Sequence, residues 1–185
     1  DTCVCMGASV AMASGLSHVS GQKAVAVLGD SAFFHCGHTA LLNAVYNGAK
    51  LTVVVLDNGV TAMTGHQPNP GTGFTASGDP APRATVEDLA RACGAPLVLT
   101  ADPYDLRSAE EALKEALAFD GVSVVVLRRE CAIEALRRGA RGAPYRVDPE
   151  RCTGCGTCWR DFGCPAIYED GGKAAIDPAA CTGCG

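Results

Sequence analysis

Residues 24–29, AVAVLG, form an unbroken apolar run, and residues 51–57, LTVVVLD, form a second one rich in β-branched side chains. Runs of this length without polar alternation fit strands covered on both faces, as in a parallel sheet. Between them the period changes. Leu41, Leu42, Val45 and Tyr46 share one face of a helix expected from about Gly37 to Asn47. Periodicity then stops from Asn58 to Pro82, where Gly, Pro, Thr and Asn dominate; a loop this long inside a compact domain is usually functional or mobile.

The regular pattern resumes at Thr85, an expected N-cap followed by the acidic first turn Glu87-Asp88 and a stop at Gly94. APLVLTA (95–101) reads as a strand, DLRSAEEALKEALAFD (105–120) as an amphipathic helix, and VSVVVLRRE (122–130) as a further strand. Strands alternating with helices predict an α/β fold, a parallel sheet flanked by helices and joined by right-handed crossovers. This domain is expected over 1–135, followed by a linker at 136–146. From Val147 to residue 185 the composition changes to short, glycine- and cysteine-rich turns, which marks a second, small domain.

Composition narrows the function. The 185 residues are 48% hydrophobic with a net charge of −5 and no long basic block, which argues against nucleic acid as a partner. Arg128, Arg129, Arg137, Arg138 and Arg141 are the densest basic stretch and read as a solvated linker or helix face, with docking of an acidic partner or phosphorylated cosubstrate as the sharper alternative. No stretch approaches the ~18 consecutive apolar residues of a membrane span. The opening DTCVCMGASVAMASGL lacks a basic n-region and places Asp1 ahead of its apolar residues, so it reads as an internal segment of a longer chain and not as a signal peptide. Six of the eleven cysteines crowd into 152–184 at CxxC spacing, which points to metal or iron–sulfur chemistry in a reducing compartment, the cytoplasm.

Ligands of parallel sheets bind beyond the carboxyl ends of the strands. Here the first strand runs into Gly29-Asp30-Ser31 and the second into Asp57-Asn58-Gly59. The glycine lets a backbone approach a phosphate, while Asp30 and Asn58 supply the hard oxygen ligands that Mg²⁺ prefers. The plain alternative is that both are ordinary strand-end turns.

GDS followed by LDN is similar to the diphosphate-binding motif of thiamine diphosphate enzymes, with Ser31 and Asp57 standing where that motif usually has Gly and Asn. The wider run GDSAFFHCGHTALLNAVYNGAKLTVVVLDNGVTAMTGHQPNPGTG, the segment DTCVCMGAS and the cysteine-rich module resemble indolepyruvate ferredoxin oxidoreductases. The resemblance implies a thiamine-diphosphate-binding fold. It also implies Mg²⁺ bound by Asp30, Asn58 and the Val60 carbonyl, with Gly29 and Ser31 against the diphosphate. His35 and His38 follow the GDS turn and can touch the diphosphate, although His38 equally suits a helix start. His66 in the long loop is a candidate catalytic residue, a substrate contact or proton shuttle, with a hydrogen-bonded loop histidine as the alternative.

Cys152, Cys155, Cys158 and Cys164-Pro165 give C-x2-C-x2-C-x5-C-P, close to the run of two-cluster ferredoxins, in which the fourth cysteine ligates the other cluster. Structural zinc is the alternative, but it normally uses two CxxC pairs separated by a longer spacer. CTGCG recurs at Cys181 and Cys184, an offset of 29 residues (181 − 152). By ferredoxin logic Cys152, Cys155 and Cys158 hold one [4Fe–4S] cluster, while Cys164, Cys181 and Cys184 belong to a second. Each lacks one thiolate, as expected of a ferredoxin-like module cut short. Cys3, Cys5, Cys36, Cys93 and Cys131 have no such spacing and read as buried thiols, Cys3 and Cys5 least securely.

Thiamine diphosphate joined to two clusters implies oxidative decarboxylation of a 2-oxoacid, with coenzyme A taking the acyl group and ferredoxin the electrons. The family resemblance adds arylpyruvates as substrates and a second (beta) subunit as partner. It places the activating glutamate upstream of this chain, so Glu87, Glu110, Glu111 and Glu115 read as solvated helix faces. Competing expectations are a pyruvate or branched-chain 2-oxoacid enzyme, a non-oxidative thiamine-dependent decarboxylase, and a pure electron-transfer module.

Overall fold

The computed structural model describes residues 3–140 and 142–183; Asp1, Arg141 and Cys184, singled out above, lie outside them. Two compact units, Asp1–Cys131 and Ala132–Gly185, make up the chain.

The first unit opens with helix α1 (Ser9–Ser20), which the sequence pattern does not announce. Its residues are mostly Ala, Gly and Ser with little apolar periodicity, yet it buries Val10 and Ala13 and ends at Gly21 in a left-handed conformation (φ 67°). Strand β1 (Ala24–Gly29) leads into a composite helix: α2 (Asp30–Ala32), a π-helical turn (Phe33–Gly37) and α3 (His38–Tyr46). The helix therefore starts at the GDS turn itself, earlier than its apolar spacing predicts.

Strand β2 (Leu51–Asp57), α4 (Val86–Ala92), β3 (Leu97–Ala101), α5 (Leu106–Ala118) and β4 (Val122–Arg128) follow, each within a few residues of its expected span. Thr85 does cap α4, accepting the Asp88 N–H at 3.0 Å, and Asp105 caps α5 in the same way. The four strands are all parallel in the order β1-β2-β4-β3, with Val53 beside Val124 and Val55 beside Val126. The two strands with the longest β-branched runs thus occupy the centre, where Leu51, Val53, Val55, Val124 and Val126 are fully buried. Thr52 and Ser123 put hydroxyls in this core. They lie 3.0 Å apart and both donate to the Ala116 carbonyl of α5, so neither is orphaned.

The long loop after β2 is not shapeless. A 3₁₀ turn (Ala62–Thr64) is closed by a bridge between Thr61 and Gln67, and a second bridge joins Phe74 and Pro80. No helix is long and apolar enough to cross a membrane among the described residues.

The second unit begins with α6 (Ala132–Arg137), so a helix occupies the first residues of the expected linker. It also holds the one-turn helix α7 (Thr157–Arg160) and an antiparallel hairpin, β5 (Ile167–Asp170) with β6 (Lys173–Ile176). Gly171 and Gly172, both at positive φ, turn the hairpin as a two-residue loop of this hand requires.

Burial sets a contrast. Leu51→Ala removes a fully buried side chain from β2 and should cost ~2–5 kcal/mol, whereas Val25→Ala on half-exposed edge strand β1 should cost under ~1 kcal/mol. Hydrogen exchange of the β2 amides reads the difference, and equal protection in the two variants would contradict the central placement of β2.

Candidate functional site

The first functional side chain sits where β1 becomes α2. Asp30 is the first residue of α2 and only 3% exposed. Asn69, itself buried, donates to Asp30 Oδ2 at 3.0 Å from the far side of the long loop. Asn69 Oδ1 in turn accepts the Gly71 N–H at 2.8 Å, which fixes the amide's orientation. Among the described residues no Lys, Arg or His pairs with Asp30. Burial pushes its carboxyl above the ordinary value, against the Asn69 and Ser31 donors, and the nearby Asp57 charge adds to the rise.

Gly29 is not demanded by the chain. Its φ is −81°, and an added Cβ would meet nothing closer than Leu56 O at 3.9 Å. Open space therefore lies beside the Asp30 turn. Ser31 Oγ accepts the Thr61 hydroxyl at 2.9 Å, which ties this turn to the loop after β2.

The end of β2 is folded on itself. Asn58 Oδ1 accepts the Val60 N–H at 3.1 Å, and Asp57 Oδ1 accepts the Gly59 N–H at 3.1 Å, with Gly59 at φ +74°. Val60 is buried, and its carbonyl accepts one N–H, from Ala62 at 3.0 Å, leaving a lone pair. Asp57 Oδ2 takes the Nε–H of Arg128 at 2.9 Å, and the other edge of that guanidinium reaches Glu87 Oε2 at 2.7 Å. Glu87 Oε1 also accepts the Thr100 hydroxyl at 2.8 Å. Burial pushes the Glu87 carboxyl up, but Arg128, a backbone N–H and Thr100 outweigh it and hold it below the ordinary value.

Two expectations are corrected here. Glu87 is buried against β3 and β4 while Glu110, Glu111 and Glu115 are exposed, and Arg128 belongs to a strand end and not to a solvated linker. Spacing along α4 cannot reveal that its first turn faces the sheet. Asn69, Thr61 and Arg128 are the residues that sequence reasoning missed; their partners lie 39, 30 and 71 positions away.

Among the histidines, His66 stands apart. It is the one non-glycine residue at positive φ (64°) among the described residues, its N–H is held by Thr61 O at 3.0 Å, and its Nε2 is buried without a hydrogen-bond partner. Such backbone strain costs of order 1–3 kcal/mol and clusters at functional sites. His38 starts α3 and its Nδ1 lies 3.1 Å from Phe33 O. His35 is exposed on the π turn and outside the Asp30–Asn58 cluster.

The expectation of buried thiols fits Cys93, whose thiol donates to His38 O and is pushed up by burial, but Cys3 and Cys5 are exposed, in a segment without regular structure.

In the second unit the repeat of the sequence is a repeat of bonds. Cys152 N–H donates to Asp148 O at 3.0 Å and Cys181 N–H to Asp177 O at 2.9 Å. Cys152 Sγ accepts the Ala174 N–H at 3.5 Å, and Cys181 Sγ accepts the Tyr145 N–H at 3.4 Å. Each member of one pair is 29 residues from its counterpart (174 − 145, 181 − 152), so each half supplies the donor to the other's sulfur. Gly154 and Gly183 are both left-handed, at φ 70° and 68°. A Cβ on either would strike a backbone carbonyl of the opposite half, Gly172 O at 2.6 Å or Ala143 O at 2.7 Å. Backbone donors, first that of Ala174, hold the Cys152 thiol below its ordinary value, and the Thr157 N–H does the same for Cys155. Among the described residues no three His, Cys, Asp or Glu side chains are gathered closely enough to hold a metal ion; Cys184 lies outside them.

The chain is similar to known proteins. Residues 1–127 match the thiamine pyrophosphate enzyme, C-terminal TPP binding domain. Indolepyruvate oxidoreductase subunit IorA of Archaeoglobus fulgidus is 46% identical over 179 residues, and that of Pyrococcus horikoshii 48% over 191 residues. These alignments cover 95% and 94% of this chain but 29% of each relative, so the chain spans less than a third of their length. The 2-oxoglutarate synthase subunit KorB of Archaeoglobus fulgidus is 32% identical over 132 residues, 68% of this chain and 49% of that protein. Among solved structures, a 2-oxoglutarate:ferredoxin oxidoreductase from Magnetococcus marinus shares the fold, with a TM-score of 0.61 over 68% of this chain and 45% of that one at 22% identity. The chain belongs to the thiamine pyrophosphate enzyme family, and its likeness to the IorA subunits extends over nearly all of its length.

Proposed function

We propose that the first unit binds Mg²⁺–thiamine diphosphate at the carboxyl ends of β1 and β2, and that the whole protein oxidises arylpyruvates of the indolepyruvate type. One observation carries the cofactor reading: Asp30 is a buried carboxylate without a cationic partner among the described residues, beside a glycine that the fold itself does not need. Asp30 Oδ, Asn58 Oδ1 and the Val60 carbonyl form an oxygen-only donor set of the kind Mg²⁺ takes. Gly29 and Ser31 would lie against the diphosphate, with the N–H groups at the start of α2 available to its charge.

When bound, thiamine diphosphate supplies the carbanion that attacks a 2-oxo carbon and drives decarboxylation. The chain's own residues orient and shelter that chemistry. Asn69 holds the Asp30 carboxylate, Thr61 holds Ser31, and His66 offers a buried, unpaired ring nitrogen to the substrate or to a proton in transit.

In the second unit, Cys152, Cys155, Cys158, Cys164, Cys181 and Cys184 would ligate two [4Fe–4S] clusters. The reciprocal N–H to sulfur bonds and the paired left-handed glycines support this reading, because backbone donors to sulfur are one means of setting cluster potentials. Electrons would leave to ferredoxin, coenzyme A would take the acyl group, and a second subunit would complete the enzyme, in the cytoplasm. The likeness to indolepyruvate oxidoreductase subunits supports the arylpyruvate choice.

The full-length protein with its partner subunit, assayed anaerobically, should reduce a viologen dye with indolepyruvate and coenzyme A, and only when thiamine diphosphate is present. Reduction with pyruvate but not indolepyruvate would move the substrate, and reduction with neither would contradict the oxidoreductase reading.

His66 yields a second expectation. His66→Gly removes both the strained backbone and the ring, so the melting midpoint should hold or rise while turnover falls about 100-fold. Thiamine diphosphate affinity should stay within about threefold of the parent, since His66 is not a diphosphate ligand here. Parent-like turnover would show that His66 is a loop residue only.

A further inference from the structure

We propose that Arg128 is a positioning residue for the cation-binding turn Asp57–Val60, acting through Asp57; the inference rests on the Mg²⁺–thiamine diphosphate reading above. The thiamine diphosphate motif usually has asparagine where this chain has Asp57. An asparagine side chain can cap the Gly59 N–H without charge, whereas Asp57 brings a second carboxylate into the neighbourhood of Asp30. Left free, that carboxylate would compete for the cation and swing the turn toward it.

The structure shows what restrains it. One Asp57 oxygen takes the Gly59 N–H at 3.1 Å and the other takes Arg128 Nε at 2.9 Å, so the carboxylate is held at both oxygens and its charge is met by the guanidinium. Arg128 is itself pinned from its other edge by Glu87 at 2.7 Å, and Glu87 by Thr100 at 2.8 Å. A planar guanidinium can bridge two carboxylates in this way, while a lysine ammonium offers a single point. The same end of β4 also grips the backbone of the turn: Arg129 N–H donates to Asp57 O and Cys131 N–H to Asn58 O, both at 3.0 Å. Asp57 and the carbonyls of residues 57 and 58 are thereby fixed, while Asn58 Oδ1, holding the Val60 N–H, and the Val60 carbonyl, holding the Ala62 N–H, each keep a lone pair for a cation.

A stabilising ion pair would produce the same contacts without serving the cofactor, so the test separates the two. In the full-length enzyme with its partner subunit, the Mg²⁺ concentration that half-saturates thiamine diphosphate binding is measured for the parent, Arg128→Met, Asp57→Asn and the double variant, beside the melting midpoint. Arg128→Met should raise that concentration about tenfold or more, the size of effect expected when the support around a metal-binding turn is lost. Asp57→Asn alone should move it less than about threefold, and the double variant should return to within about threefold of the parent, because the neutral cap no longer needs a counter-charge. Arg128→Lys, which keeps the charge and the fold, should fall between parent and Arg128→Met. Two outcomes overturn the proposal: a double variant as weak as Arg128→Met, or a lowered melting midpoint in Arg128→Met and Arg128→Lys with unchanged Mg²⁺ dependence. A parent that binds no thiamine diphosphate would overturn the cofactor reading and this inference together, so the two failures are distinct.

Discussion

A carboxylate buried at the mouth of a parallel sheet, with an amide and backbone N–H groups but no cation of its own, is an expensive thing for a fold to hold. Asp30 is in that position, and the surroundings make sense only around it. Asn69 reaches back from the long loop to hold one oxygen, and that loop is folded by its own bridges so that it can do so. Thr61 closes the same loop onto Ser31. Burial raises the carboxyl's ordinary value, and a bound divalent cation is the partner that would reverse this cost. The sheet contributes rigidity: β2 and β4 are the fully buried central strands, and their carboxyl ends deliver Asp57 and Arg128 side by side.

The second unit solves a different problem with the same economy of parts. Thiols there are met by backbone N–H groups from the opposite half of an internal repeat, and the glycines that permit the close approach recur at the same offset. Side chains at Gly154 or Gly183 would both strike a carbonyl and demand a left-handed backbone, so the CTGC turns need glycine on two independent grounds.

Much of this was legible in the sequence, for identifiable reasons. The strands were readable because LTVVVLD and VSVVVL carry the unbroken apolar runs of the central strands β2 and β4, AVAVLG carries one on the edge strand β1, and the cap Thr85 has local chemistry. Helix α1 was not readable, since Val10, Ala13, Ser14 and Ser17 bury its inner face without an apolar stripe. Gly29, Asp30, Ser31 and Asn58 stood out because strand ends in such sheets are where ligands bind. Asn69 did not, because a loop asparagine declares its role only when the chain brings it across 39 residues to Asp30. Glu87 and Arg128 were misread for a related reason: charge spacing along one element is silent about the element packed against it.

The central claim is that Asp30 holds a divalent cation for thiamine diphosphate, and the isosteric variant Asp30→Asn in the full-length enzyme tests it most directly. Equilibrium binding of thiamine diphosphate across a Mg²⁺ titration should show the parent saturating and the variant losing Mg²⁺-dependent binding, with iron content unchanged because Cys152, Cys155, Cys158, Cys164, Cys181 and Cys184 lie in the other unit. Binding in the variant with the parent's Mg²⁺ dependence would contradict the account, since a carboxylate so deeply buried would then serve the fold and not the cofactor.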